Sequence, residues 1–198
     1  MCDYCWCNSW SLGIISSMEI KRLNVETLDD FLAYFDHRAF LEDPNWDGCY
    51  CQFYLNTPEQ NSLEGDKTEV NRASACSRVE TGDMDGYLAY EGDKVVGWCA
   101  AGSSLLYPGL PGADEKVARI LCFNVDPDRR GQGVSGQMLD LILEDLTVRG
   151  FEAAEAGPNQ NSYSAKSYRG SFDMFNKRGF EPVADLEDGF VLVRKYLT

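Results

Sequence analysis

From Met18 the chain alternates apolar and polar residues as MEIKRLN, the two-residue period of a short strand. The period then changes. Across residues 28–40, LDDFLAYFDHRAF, the apolar positions Leu28, Phe31, Leu32 and Phe35 recur at helical spacing. Thr27 stands where an N-cap belongs, and Asp29 and Asp30 suit the positive end of the helix dipole. The stretch DPNWDGCYCQFY, rich in aromatics and turn formers, reads as a loop or broken helix, and residues 64–80 as an exposed helix. GYLAYEG and KVVGWCAAGSS flank Gly92-Asp93 as a hairpin, and KVARILCFNV follows a Gly/Pro-rich loop as a third strand. In SGQMLDLILEDLTVRG, Met138, Leu139, Ile142, Leu143 and Leu146 form one helix face that Gly150 ends. A short strand FEAAEAG, a polar loop, a helix YRGSFDMFNKR closed by Gly179, and a hairpin of FEPVADL and FVLVRKYL complete the chain. The order β-α-(α)-β-β-β-α-β-α-β-β, with no internal repeat, predicts an α/β (α+β) fold. Its sheet is expected to be mixed and mostly antiparallel, with helices on both faces.

Length and charge narrow this picture. The chain has 198 residues, which favours one domain. Residues 1–17 are Cys-rich, show no period, and read as a segment appended to a domain spanning 18–198. No apolar run is long enough to span a membrane, and the start has no basic region before an apolar core. A soluble, cytoplasmic protein is expected. The net charge of −14 argues against nucleic acid or an anionic membrane as partner and slightly favours a cationic one.

The eight cysteines default to reduced thiols. Cys2, Cys5 and Cys7, with Cys49 and Cys51, could in principle gather four thiolates around zinc. With a lone His37 and no pair of C-x-x-C knuckles, no metal is expected. Cys76, Cys99 and Cys122 lie in apolar patterns and read as core, and His37 as structural or exposed. The aromatics Trp46, Tyr50, Phe53 and Tyr54 read either as a satellite cluster beneath a loop or as the wall of a substrate pocket.

The stretch RGQGVSG fits two phosphate-binding templates. Gly131, Gly133 and Gly136 spell G-x-G-x-x-G, the dinucleotide fingerprint, and Glu155 follows near the end of the next strand. Arg130, Gly133 and Ser135 nearly spell R-x-x-G-x-G/A, a loop that holds coenzyme A. The left flank decides. Asp126-Pro127-Asp128-Arg129-Arg130 separate the strand from the first glycine, whereas a dinucleotide turn places that glycine directly at the strand's end. The flanking hairpins also disagree with repeated βαβ units. The second template needs what is present: a strand ending at Val125, an arginine, a glycine-rich turn and a helix N-terminus whose free N–H groups attract anions.

On these residues the sequence resembles the GNAT acetyltransferase superfamily from about Met18 to Thr198. FNVDPDRRGQGVSGQML is similar to the family's fourth strand, acetyl-CoA loop and third helix, GYLAYEGDKVVGWCAA to its second and third strands, and MFNKRGFEPV to its late helix-to-strand junction. The resemblance implies acetyl transfer from acetyl-CoA to the primary amine of a small molecule or peptide, without metal. It implies that Phe123, Asn124, Val125, Arg129, Arg130, Gly131, Gln132, Gly133, Val134, Ser135 and Gly136 hold acetyl-CoA. It places the acceptor pocket in residues 40–60 and 103–114, with Trp46, Tyr50 and Tyr54 as candidate walls. A homodimer is compatible with it. Two positions depart from the pattern. Ser135 replaces the usual final Gly or Ala, and Phe175 stands where many relatives carry a tyrosine that protonates the leaving thiolate. Tyr168, about two helical turns earlier, is the alternative acid, with Tyr163 behind it. Glu155 is the first candidate base. An alternative reading is a GNAT-like domain that binds acyl-CoA as a sensor or interaction module without turnover.

Overall fold

A computed structural model describes residues 18–42, 46–62, 66–160 and 167–198. Its strands are β1 (Glu19–Arg22), β2 (Tyr87–Glu91), β3 (Lys94–Ser103), β4 (Val117–Val125), β5 (Ala153–Ala156), β6 (Glu181–Asp185) and β7 (Val191–Tyr196). Its helices are α1 (Leu28–His37), α2 (Pro58–Asn61), α3 (Thr68–Thr81), α4 (Val134–Val148) and α5 (Phe172–Asn176). The sheet order is β1-β2-β3-β4-β5-β7-β6. Only β4 and β5 run parallel; every other neighbouring pair is antiparallel, as the element order predicts.

Alternation along the strands divides the core in two. On one face Tyr87, Ala89, Ile120 and Phe123 meet Met138, Leu139, Ile142 and Leu146 of α4, together with Phe175 and Phe180. On the other, Leu88, Tyr90 and Trp98 meet Phe31 and Phe35 of α1 and Ala75 and Val79 of α3. Trp98 is fully buried, its ring 4.8 Å from Phe31 in an edge-on contact. Cys99 is buried as expected, and Cys76 and Cys122 are partly buried against the second cluster. Among the described residues no helix is long and apolar enough to cross a membrane.

Local chemistry moves several boundaries. Thr27 holds the N-cap position of α1 but makes no capping bond. Its hydroxyl turns backwards, accepting from Asn24 N–H at 3.0 Å and donating to the Arg22 carbonyl. α1 ends at His37 because the N–H groups of Arg38 and Ala39 both converge on the Tyr34 carbonyl. The short α2 carries a capping box, Thr57 with Gln60, whose T-P-E-Q signature lies in the sequence. The helix expected from Tyr168 starts only at Phe172. Gly170 sits at φ +75°, a left-handed turn, and the Ser171 hydroxyl accepts from Met174 N–H as the cap.

Candidate functional site

The β4–β5 pairing lasts only four residues, Val117 with Ala153 through Ile120 with Ala156. β4 continues to Val125 after β5 has ended, so the parallel pair opens into a cleft. Along this free stretch Phe123 N–H points away from β3 and donates to the Tyr168 carbonyl at 2.5 Å. Strand alternation turns the peptide groups of Val125 to the same edge, where its carbonyl accepts from Arg130 Nε at 3.1 Å. Of the three backbone positions expected to face a thioester, Phe123 therefore has its N–H engaged and Val125 presents its own to the cleft. Asn124 does something else: its side chain accepts from Tyr34 hydroxyl at 2.7 Å and donates to the Ala39 carbonyl at 2.9 Å, tying β4 to α1.

The corner after β4 is built on one carboxylate. Asp126 is fully buried, receives the Arg38 fork at 2.7 and 3.0 Å and the Asp128 N–H at 2.9 Å, and lies 3.2 Å from Lys94. Burial alone would raise its pKa. The bonds from Arg38, the Asp128 N–H and Lys94 outweigh burial and hold it at about 2. A tight turn at Pro127–Arg129 follows, and Gly131 and Gly133 take φ +74° and +81°. Gly133 is the N-cap of α4; Gln137 N–H makes the first bond back to its carbonyl. The N–H groups of Val134, Ser135 and Gly136 thus lie in the unpaired first turn, and Ser135 lines the cleft.

The predicted loop residues divide by environment. Arg130 reaches the cleft while bound at 2.6 Å to Glu42. Arg129 points elsewhere, to Glu91 at 2.8 Å, and Gln132 donates to the Asp128 carbonyl. Gly136 makes way for protein: an added Cβ would lie 2.9 Å from Arg178 Nη2, which donates to the Gly136 carbonyl. The glycine that completes the dinucleotide pattern is therefore accounted for by packing.

The cleft deepens into a cavity of about 170 Å³. Phe40, Trp46, Phe53, Tyr54 and Tyr168 supply aromatic walls. Tyr50, expected among them, does not. It is buried against Phe35 and donates to Asp36 at 2.5 Å, and its left-handed backbone (φ +41°) turns the side chain away. Burial first, then the Asp36 carboxylate, push its pKa up to about 12. Tyr168 lies in the loop ahead of α5 rather than on a helix, 5.8 Å from the Trp46 ring, and its hydroxyl accepts from Arg169 Nε at 3.3 Å. Phe175 is fully buried between Phe123 and Phe180 and does not reach the cavity. Tyr163 lies outside the described residues.

Among the described residues no Asp, Glu or His lines this cavity. Glu155 lies outside it, in a ladder across three strands. Register sets it opposite Arg119 on β4 and Arg194 on β7. Arg194 Nε donates to it at 3.0 Å, and Arg119 Nε lies 3.6 Å from its other oxygen. Both of its oxygens thus face arginines, and it is not among the residues that line this cavity.

Three sulfurs, Cys49, Cys51 and Cys122, line the cavity, although the apolar pattern around Cys122 points to core and the spacing of Cys49 and Cys51 offers only zinc as a function. Cys51 Sγ accepts from Trp98 Nε1 at 3.2 Å. The contact with Cys122 lowers the Cys51 thiol's pKa and raises its partner's; burial lifts Cys49 to about 12. The alternation Cys122, Asn124 places both on the α1 side and could have signalled this. Among the described residues no group of His, Cys, Asp and Glu is gathered to hold a metal; Cys2, Cys5 and Cys7 lie outside them.

A second cavity of about 140 Å³ adjoins the first across Tyr54 and is lined by Arg119, Glu155 and Arg169 among leucines. Arg169 carried no signal in the sequence.

No curated protein matches the chain. Solved structures do. An acetyltransferase from Thermus thermophilus superimposes with a TM-score of 0.57 at 15% identity, over 91% of this chain and 97% of that one. An N-acetyltransferase from Staphylococcus aureus gives 0.55 at 17%, over 92% and 100%. The PaiA N-acetyltransferase from Thermoplasma acidophilum, in complex with coenzyme A, gives 0.53 at 14%, over 91% and 99%. At such identities these likenesses establish the fold. The family model "Acetyltransferase (GNAT) family" matches residues 45–172, which include β4, the glycine-rich turn and α4. The chain belongs to the GNAT family of acetyltransferases.

Proposed function

We propose that this acyltransferase moves an acetyl group from acetyl-CoA to the primary amine of a small molecule or peptide. One observation carries the reading. Where β4 outruns β5, a single cleft joins the first turn of α4, the free edge of Val125 and an aromatic cavity.

The residues present fit acetyl-CoA. Glycines at positive φ let the main chain of Gly131 and Gly133 approach a pyrophosphate without a Cβ in the way. The N–H groups of Val134 and Ser135 offer donors, and the helix dipole adds about half a positive charge. Arg130 adds a full one once it leaves Glu42. Arg129, Gln132 and Gly136 have protein partners, so they shape the loop that the others use.

Acetyl-CoA, when bound, supplies a thioester. The amine nitrogen forms a bond to its acetyl carbon, the carbon–sulfur bond breaks, one proton leaves the nitrogen and sulfur gains one. Val125 N–H is the donor for the carbonyl oxygen; such a group aimed at developing charge contributes roughly 3 kcal/mol. Phe123 holds the Tyr168 loop, and Asn124 holds β4 to α1, so both position rather than touch. Tyr168 is the proton donor to sulfur. Its oxygen already accepts from Arg169, which leaves its own O–H to point elsewhere. With no carboxylate among the described residues of the cavity wall, water is the acceptor of the amine's proton in this reading. Trp46 and Tyr54 bound the acceptor.

Free thiol released from acetyl-CoA, measured with a panel of amines and peptides, tests the reading. Release that depends on the amine, with a matching gain of 42 Da on it, supports acetyl transfer. Acetyl-CoA binding without release on any amine, peptide or aminoglycoside would return the chain to the sensor reading.

A further inference from the structure

The second cavity points to the chemistry of the acceptor, an inference that rests on the acetyl transfer proposed above. Nine of the eleven arginines have a carboxylate oxygen of a described residue within 4 Å. Arg78 instead donates to Gln52 at 2.6 Å. Arg169 has no carboxylate among the described residues. Its guanidinium is braced by rings, with Phe190 at 4.2 Å, Tyr168 at 5.7 Å and Tyr54 at 5.8 Å, and its one hydrogen bond among the described residues, from Nε to Tyr168, leaves the terminal nitrogens. One of them, Nη1, lies beside Gly157, where even an added Cβ would stay 3.8 Å away. In a chain with 32 acidic residues, an arginine held by aromatic faces and kept from every described acid is a prepared anion site.

Two further observations point the same way. Arg119 is 6% exposed, and its Nε has no hydrogen-bond partner among the described residues, the Glu155 oxygen standing off at 3.6 Å. Both arginines line the second cavity with Glu155 and Tyr54, and the rest of its wall is apolar, mostly leucine with Pro111, Ala156 and Gly157. The charges of Arg119 and Glu155 offset one another, so the wall carries one net positive charge, that of Arg169. Tyr54 belongs to both cavities, and Tyr168 of the first is the chain neighbour of Arg169 in the second.

We infer that the acceptor is a primary amine bearing one carboxylate on an apolar body, an amino acid or short peptide. Its amine lies in the aromatic cavity and its carboxylate meets the Arg169 fork in the second. The single charge matches a carboxylate better than a phosphate dianion, and the leucine wall accepts the apolar body. The overall acidity of the chain would suggest a cationic acceptor; the local wall argues for an anionic group.

The test is thiol release with matched pairs: free amino acids and their amides, dipeptides and their C-terminal amides. The carboxylate member of a pair is expected to show at least tenfold higher kcat/KM, and the amino-acid and dipeptide arms distinguish the two sources. Arg169→Gln is expected to abolish that ratio and Arg169→Lys to restore part of it. Because the readout is a ratio within one variant, a general loss of activity cannot mimic it. Equal rates for acid and amide, or a ratio untouched by Arg169→Gln, overturns the inference and leaves acetyl transfer standing. No release from any amine overturns both.

Discussion

Arg130 and Glu42 form an ion pair at the loop proposed to hold the phosphates of acetyl-CoA. In the structure they are 2.6 Å apart, with the Glu42 side chain half-exposed. An exposed pair contributes at most about 1 kcal/mol. In the proposed binding mode a phosphate displaces Glu42 from Arg130, so Glu42→Gln is expected to tighten acetyl-CoA binding by about two- to fivefold, the equivalent of that energy. Arg130→Glu reverses the charge beside the same anion and is expected to weaken binding more than tenfold. Titration calorimetry of both variants checks the pair; unchanged affinity in Arg130→Glu would count against the loop as the phosphate site. Tyr168 is judged by a different quantity. Tyr168→Phe keeps the ring against Trp46 and the carbonyl that receives Phe123 N–H, and removes one proton. Its kcat is expected to fall about a hundredfold, the low end for a general acid because a thiolate leaves readily, with acetyl-CoA affinity unchanged.

At the scale of the element, the segment before α5 sets where Tyr168 stands. A helix through Tyr168 would place its ring by helical spacing; the observed turn places it by a backbone bond to β4 instead. Gly170 makes that turn. An added Cβ there would lie 2.6 Å from Met174 Cε and 3.0 Å from the Phe175 ring, at a φ that side chains avoid. Gly170→Ala is expected to cost about 1–3 kcal/mol, lowering Tm by several degrees, and to reduce kcat as Tyr168 shifts. Calorimetric melting and the thiol assay measure the two effects. The same segment shows what a sequence can and cannot disclose. Strands, the α4 stripe and the strand-turn-helix of the loop were legible because each is a local period with local stop signals. DPDRR gave the loop its reading because a proline and five residues are a length, and length is local. Tyr50 and Tyr54 look alike in sequence, and only the left-handed turn at Tyr50 separates a buried ring from a cavity wall. Glu155 read as a free carboxylate because its partners lie 36 and 39 residues away in the chain, brought opposite only by sheet register. Arg169 was invisible for the same reason, since the rings that brace it and the lack of a described carboxylate beside it are tertiary facts.

On the scale of the molecule, the two halves that form the cleft are joined through Asp126. Arg38 comes from the end of α1, Lys94 from β3, and Asp128 from the turn leading to α4, and all three converge on this one fully buried carboxylate. With its pKa held at about 2 against a usual 3.8, the folded state binds its proton more weakly than the unfolded state does. Between these values the unfolded chain carries more protons, so stability falls as pH falls. The contribution is complete above pH 4 and disappears as pH drops through 2. Its size, from that shift, is on the order of 2 kcal/mol. Urea unfolding of the wild type is therefore expected to lose stability between pH 4 and pH 2. Asp126→Asn should lose about that amount already at pH 7, because Arg38 and Lys94 are left facing a neutral amide, and should show a flatter decline below pH 4. An unfolding midpoint that falls equally steeply in both proteins would show that other carboxylates carry the acid sensitivity. Acetyl-CoA affinity provides a second reading of the same joint: Asp126→Asn is expected to weaken it at pH 7, since the turn that presents Gly131, Gly133 and Arg130 is fastened at this carboxylate.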